Sequence, residues 1–354
     1  MGGSALHSGK LFDTVLARYI DAGADEIRIV SGYASPEMCT RLLLAARDRG
    51  REITIRLVVG MTGYEGVTLD THQGFLSVQA APPDGSGRLG VQYVTGGVSV
   101  HSKLFVWMRG REPLDAWMGS ANFTQNGFGV GFRAGRHHEI MIPTDVESAL
   151  RYFDEIESQS LSIDHPEVEN EIAIHNRPLP TSISIASSEG AQEPDEIERE
   201  SVVLPLVALR ASPETKRGEV HRRSGLNWGQ RPEYNREPNQ AYIPVPAQVR
   251  RMDFFPPKGV VFRVSTTDNK QFLMTVAQDN SKALETPQNN AFIGEYFRMR
   301  LGVANGAPVG PIDLSNFGSR FVVFYRVDDG DEEPTYIMDY SPEHDARGAE
   351  FYNL

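Results

Sequence analysis

The stretch His101–Gln125, HSKLFVWMRGREPLDAWMGSANFTQ, decides how the chain reads. It divides into an apolar run, a short polar turn holding Gly110, a second apolar run and the small-residue corner Gly119-Ser120. Two β-forming runs about a Gly-containing turn predict adjacent strands. Residues two apart in a strand share a face, so His101 and Lys103 are expected to project together. A small corner lets the backbone and the Asn122 amide approach a ligand closely. An imidazole, an ammonium and an amide on one surface suit a phosphate group.

Upstream, LFDTVLARYIDAG has helical spacing, EIRIVSGYAS reads as a strand, PEMCTRLLLAARDRG as a helix ended by Gly50, and ITIRLVVGM as a buried strand. That is a β-α-β unit. Further strands are predicted at VQYVTG, SVHSKLFVWM, DAWMGS and HHEIMIP, followed by the helix VESALRYFDEIESQSL. The first half, residues 1–175, is therefore expected to be an α/β domain with a mixed sheet flanked by helices. Residues 176–200 are rich in Pro, Ser and acids with little apolar content and read as an acidic linker. From 201 to 354 the pattern turns to short strands, SVVLPLVAL, AYIPVP, VVFRVST, QFLMTVA and FVVFYRV, with one helix near AFIGEYFRMRLG. A mainly-β barrel or sandwich is expected there.

The net charge of -12 over 354 residues disfavours a nucleic-acid binder until the charge is located. Between Thr144 and Glu200 lie fifteen acids and three bases, which account for all of it. Between Arg210 and Arg251 lie nine bases and four acids, a local basic excess. The acids Glu193, Asp195, Glu196, Glu198 and Glu200 read as a passive spacer, or as a mimic of DNA held over a phosphate-binding cleft. The single cysteine, Cys39, falls in a helical pattern, which excludes a disulfide framework and a Cys-based zinc site. No run approaches the roughly 18 apolar residues of a membrane span, so a soluble, cytoplasmic protein without membrane partners is expected.

Competing motifs fail on spacing. GGSALHSGKL lacks the glycine spacing of a phosphate-binding loop, and Leu11 follows the Lys where Ser or Thr should bind magnesium. His137 and His138 are strand neighbours facing opposite ways, and no His/Asp set has zinc-site spacing. No metal ligand is expected.

The pattern His101-x-Lys103 with Gly119-Ser120-x-Asn122 resembles the phospholipase D superfamily. Met108 stands where many members carry an Asp, a departure that points away from the lipid-cleaving branch. In the nuclease branch an acid follows in the next strand, and Glu139 fills that place. The resemblance implies covalent catalysis without metal. His101 attacks phosphorus, Lys103 and Asn122 neutralise and orient the phosphate oxygens, and a second histidine protonates the leaving oxygen. Ser120 belongs to the same catalytic set, and Glu139 is expected to hold a histidine ring in one tautomer. None of the other eight histidines is followed two residues on by Lys. A homodimer through the nuclease domain would supply the second imidazole.

In the second half, HRRSGLNWGQRPEYNREPNQAYIPVP interleaves bases, amides and aromatics, and KALETPQNNAFIGEYFRMR is a second polar stretch that adds Arg298. With FFPPKGVVFRV and GEYFRMRLG these resemble the C-terminal domain of restriction endonucleases of the NgoFVII and CglI kind, a B3-like open barrel that sends two arms into the major groove of DNA. The implied first arm carries Arg222, Arg223, Ser224, Asn227, Gln230, Arg231 and Arg236, and the second Gln288, Asn289 and Asn290. The resemblance implies a type II-like endonuclease subunit cutting double-stranded DNA at or near a short GC-rich asymmetric site. The nuclease centre itself needs no cofactor. Any ATP and Mg dependence would come through a helicase-like ATPase partner, since the chain has no nucleotide motif. A lipid-cleaving phospholipase and a non-cleaving DNA-binding regulator are the rivals: the first is disfavoured by the single half-motif, the second by the filled catalytic positions.

Overall fold

Ile27, Ile29, Ile53, Ile55, Leu57, Phe105 and Trp107 recur at alternate positions of neighbouring strands, and their burial against helices organises the first half. The computed structural model describes residues 6–96, 99–132, 134, 138–175, 200–327 and 334–354. A π-helical segment, Phe12–Ala17, runs into α1 (Arg18–Asp21). Then follow β1 (Glu26–Ser31), α2 (Pro36–Arg47), β2 (Ile53–Val59), α3 (Thr62–Glu65), β3 (Val67–Thr68), α4 (Leu69–Ala80) and β4 (Gly87–Val94). The hairpin β5 (Lys103–Arg109) and β6 (Glu112–Gly119) comes next, then β7 (Met141–Thr144), α5 (Val146–Glu157), β8 (Ser160–Ser162), α6 (Val168–Glu171) and β9 (Ile174–His175).

The first sheet has the order β7-β6-β5-β1-β2-β4-β8. Strands β1, β2 and β4 are parallel, whereas β5 runs antiparallel to β1. One face buries the residues named above under α2, α4 and the N-terminal helix. The other buries Val30, Val58, Leu104 and Val106 under Ala149, Phe153 and Ile156 of α5. Helix starts are written locally: Ser35, Thr68 and Asp145 each accept a backbone N–H as N-caps of α2, α4 and α5, and each such cap contributes about 1 kcal/mol. The hairpin turn is the two residues between Arg109 and Glu112, with Gly110 at φ 57°.

The second half folds into β10 (Ser201–Pro205), β11 (Ile243–Pro244), α7 (Ala247–Arg250), β12 (Val261–Thr266), β13 (Gln271–Ala277), β14 (Ala283–Glu285), α8 (Ala291–Leu301), α9 (Pro311–Phe317), β15 (Phe321–Val327), β16 (Thr335–Asp339) and α10 (His344–Tyr352). Its sheet order is β10-β15-β16-β12-β13-β14-β11, and the edge strands β10 and β11 approach one another, so the sheet is a nearly closed barrel. Phe254, Phe262, Tyr336, Phe324 and Tyr340 fill it. The expected fold class, an α/β domain with a mixed sheet plus a mainly-β open barrel, is what the chain forms.

Helix α4 is absent from the sequence reading. Its LDTHQGFLSVQA stretch is only weakly amphipathic and holds Gly74 mid-helix. The structure gives that glycine a reason: a Cβ there would sit 2.7 Å from Cγ of Pro36 at the head of α2. The acidic segment 176–199, with the spacer and DNA-mimic readings attached to it, lies outside the described residues; Glu200 pairs with Arg326.

Candidate functional site

The first site is built where β1 ends beside the start of β5. Ser31 is the register partner of Lys103, and Gly32 N–H donates to Ser102 C=O at 3.1 Å. Gly32 packs closely on His101: a Cβ there would lie 3.1 Å from its Cδ2, so the ring would have to give by a few tenths of an ångström. His101 itself precedes the strand and is exposed, and Lys103 is the first strand residue. They nevertheless converge: Lys103 Nζ lies 3.1 Å from His101 Nδ1, 3.4 Å from Nε2, and donates to the His101 carbonyl at 2.7 Å. Lys103 is only 6% exposed. Burial pulls its ammonium below the ordinary lysine value, and the nearby Glu139 carboxylate partly offsets that pull.

Asn122 joins from the loop after β6. Its Oδ1 accepts the Tyr33 N–H at 3.2 Å, which leaves its NH2 as the group that could donate to a phosphate oxygen. Tyr33 packs edge-on to His101 with ring centroids 5.8 Å apart, and its hydroxyl donates to Glu65 at 2.8 Å. Burial, then the Glu65 carboxylate, raises the Tyr33 phenol's pKa. The buried Ser31 fastens both walls: its Oγ donates to Tyr33 C=O at 2.6 Å and accepts Phe123 N–H at 2.9 Å. Tyr33, Gly32 and Ser31 are absent from the sequence reading. They have no motif, and only the pairing of β1 with β5 brings them to His101.

Glu139 serves the corner after β6. It lies two residues ahead of β7, and its carboxylate accepts the Ser120 hydroxyl; its electrostatic partner is Lys103, and no hydrogen bond to a histidine is seen among the described residues. Ser120 Oγ also accepts Ile140 N–H at 3.0 Å, so Ser120 links the corner after β6 to the approach to β7. Gly119 is required at that corner, since a Cβ would come within 2.0 Å of the Ile140 carbonyl. His137 lies outside the described residues.

On the barrel, the first arm is a loop ahead of β11 with short 3-10 turns at Gly225–Asn227 and Pro232–Tyr234. Arg222 and Arg223 are exposed, and Arg223 pairs with Glu233. Ser224 is half-buried at the head of the first turn. Arg231 Nε donates to Arg223 C=O at 2.7 Å, and the Arg236 guanidinium lies 3.9 Å over the Trp228 ring.

The five amides expected in the two arms are bonded to groups of the protein itself. Asn227 is buried: its NH2 donates to the His221 and Val309 carbonyls and its Oδ1 accepts Val309 N–H, all at 2.8 Å. Gln230 donates to the carbonyls of Pro238 at 3.0 Å and Gly306 at 3.1 Å. Gln288 is buried and donates to the Ser77 and Ala81 carbonyls at the end of α4, so the loop expected to be the second arm docks the barrel on the first half instead. Asn290 donates to Glu285 at 3.2 Å, while Asn289 accepts Ala291 N–H at 2.9 Å as a local turn before α8. A buried amide must find partners, and main-chain groups supply them for Asn227 and Gln288. Arg298, also expected on the second polar loop, is fully buried and donates to five carbonyls, those of Ala307, Asn239, Gly294, Leu226 and Pro238.

No helix of the described residues is long and apolar enough to cross a membrane. Among solved structures the chain is similar to Nuc from Salmonella typhimurium, a phospholipase D family member (16% identity, 45% of this chain and 97% of that one, TM-score 0.32). It is also similar to NucT from Helicobacter pylori (14% identity, 45% and 98%, TM-score 0.29). No curated protein matches it. The N-terminal phospholipase D (PLD) domain of the NgoFVII restriction endonuclease family matches residues 9–170, which hold His101, Lys103 and Asn122, and the family's C-terminal B3-like DNA-binding domain matches residues 205–328, which hold the arginine arm. With both of its domains matched in order along one chain, this protein belongs to the NgoFVII family of restriction endonucleases, a phospholipase D-like nuclease joined to a B3-like DNA-binding barrel.

Proposed function

We propose that the chain is a type II-like, site-specific deoxyribonuclease subunit that cuts double-stranded DNA through a phosphohistidine at His101. The observation that carries this is the buried Lys103 ammonium set 3.1 Å from an exposed imidazole, with Asn122 tied through Tyr33 to the same pocket. His101 Nε2 attacks the phosphorus, forming a P–N bond as the bond to one bridging oxygen breaks. The leaving oxygen takes a proton from a second imidazole. Lys103 and the Asn122 amide meet the charge that collects on the non-bridging oxygens. Water, giving its proton to the second imidazole, then breaks the P–N bond and releases a phosphate monoester and free His101. Lys103 and Asn122 supply the positive field, so the cleavage step needs no metal.

The second imidazole comes from a second copy. Leu6, Met118 and Ile140 are exposed apolar side chains near the Ser120–Glu139 corner, Met118 pairs in register with Ile142, and His7 bridges to Met141. An apolar patch beside half an active site fits a two-fold axis there. The DNA site is short, GC-rich and asymmetric, read by Arg222, Arg223, Arg231 and Arg236 from the first arm. The ATP-driven, helicase-like partner stays part of the proposal as the source of any ATP and Mg requirement.

The test is plasmid cleavage in excess chelator, with and without ATP and cell extract. Wild type is expected to cut, and His101→Ala to lose cutting by at least about a thousandfold while keeping specific DNA affinity. Cleavage that stops on chelation with ATP absent, or His101→Ala cutting at the wild-type rate, overturns the mechanism.

A further inference from the structure

Gln125 lies three residues beyond Asn122 and is fully buried. Its side-chain amide does not serve its own loop. Nε2 donates to the Val261 carbonyl at 2.7 Å, and Oε1 accepts the Val261 N–H at 3.0 Å. Val261 opens β12 of the barrel, so one glutamine pairs in two directions with a strand of the other domain. Two residues along β12, and therefore on the same face, Arg263 pairs with Glu37 at 3.0 Å and donates to Thr71. Glu37 sits in the first turn of α2, just past Tyr33.

The two anchor points are the two walls of the catalytic pocket. Loop 122–130 is tight: Thr124 N–H donates to Asn122 C=O at 2.7 Å, Phe128 N–H to Thr124 C=O, and Val130 N–H to Gln125 C=O at 2.8 Å. Gly127 is held so close that a Cβ would sit 2.5 Å from the Asn122 carbonyl. The second wall, Tyr33 to Ser35, is tied to this loop by an Ala34–Phe123 bridge and by Tyr33 N–H on Asn122. A displacement at Gln125 therefore reaches Asn122 through a few short, fully bonded steps. Val261 and Leu273 also bury into the nuclease core, so the barrel docks there as a packed body.

We infer that Gln125 is a positioning residue of the cleavage reaction: clamped by barrel strand β12, it fixes the loop that carries Asn122, so the nuclease pocket is fully formed only with the DNA-binding barrel docked on it. This rests on the phosphodiesterase reading of His101, Lys103 and Asn122. It adds a residue that touches no substrate and acts across the domain boundary. Placement errors of about 1 Å cost on the order of a hundredfold in rate, so a loosened Asn122 shows in turnover rather than in binding.

Gln125→Met keeps the volume and removes both bonds. Single-turnover cleavage of duplex DNA is expected to slow at least about tenfold, with DNA affinity within about twofold of wild type. Gln125→Glu carries the test should the Met variant not fold. Its protonated carboxyl can both donate to the Val261 carbonyl and accept its N–H, whereas the ionised form cannot donate. Cleavage by Gln125→Glu relative to wild type is thus expected to rise as pH falls. Hydrogen exchange across residues 120–128 reads the clamp without activity, and is expected to quicken in Gln125→Met while α5 stays as in wild type. Gln125→Met cutting within about twofold of wild type, a pH-independent ratio for Gln125→Glu, or unchanged exchange at 120–128 each overturns the inference. Wild type that does not cut even when supplied with ATP, Mg and cell extract sinks the nuclease reading instead, and the exchange result still decides the clamp.

Discussion

At the residue scale, Lys103 shows why a short motif is both readable and incomplete. The spacing His-x-Lys places the two side chains together, but the ammonium's chemistry comes from burial, which no spacing encodes. Burial lowers the Lys103 pKa, so the charged form fades at a lower pH than in an ordinary exposed lysine. If the ammonium meets the charge that develops on the phosphate oxygens, kcat/KM for DNA should begin to fall on the alkaline side below the roughly 10.4 of a free lysine. Lys103→Arg, which stays charged, should move that limb upward while cutting more slowly because the fork cannot occupy the ammonium's place. Coincident alkaline limbs in the two proteins would remove Lys103 as the titrating group. Glu139 accepts the Ser120 hydroxyl and acts on the Lys103 ammonium, and the tight corner at Gly119 is what brings Ser120 to it.

At the element scale, the hairpin β5–β6 and the β1-α2-β2 unit were legible because strand alternation, helix spacing and a helix-ending glycine are local properties. Helix α4 was not, since Gly74 weakens its pattern and only the crossing with Pro36 explains it. The amides of the barrel loops illustrate the same limit. Asn227, Gln230 and Gln288 have the composition of base-reading arms, yet each finds main-chain carbonyls left open by neighbouring turns. Arg298 is the extreme case, a buried guanidinium in α8 that ties that helix to the loop carrying Leu226, Pro238 and Asn239. Burial lowers its pKa, with Glu237 and Glu295 opposing. Replacing it by Met should strand several buried carbonyls and cost about 3 kcal/mol, read as a lower unfolding midpoint of the barrel. A shift under about 0.5 kcal/mol would mean that water satisfies those carbonyls. The first-arm arginines should also lose DNA affinity in this variant, because α8 is what holds their loop.

At the scale of the whole molecule, the two domains are joined by a specific interface: Gln125 on Val261, Glu37 on Arg263, Asp70 on Gln271 at 2.6 Å, and Gln288 on the end of α4. The proposed second copy belongs to this scale as well. Met118→Lys combined with Ile140→Lys should shift sedimentation toward the monomer and remove cleavage together, leaving DNA binding by the barrel intact. A monomer that cuts at the full wild-type rate would rule out a site shared between copies.

Sequence by itself determined many local units and which chemical side chains lie close along the chain: most of the longer strands, the spacing of His101, Lys103 and Asn122, and the basic stretch beyond the acidic one. These depend on neighbours a few residues away, where periodicity and side-chain type act directly. Tertiary structure decided which polar groups remain available to a substrate and which are consumed. That choice depends on unpaired main-chain groups brought close from 136 residues away in the case of Gln125 and Val261, a distance over which no pattern in the chain carries information.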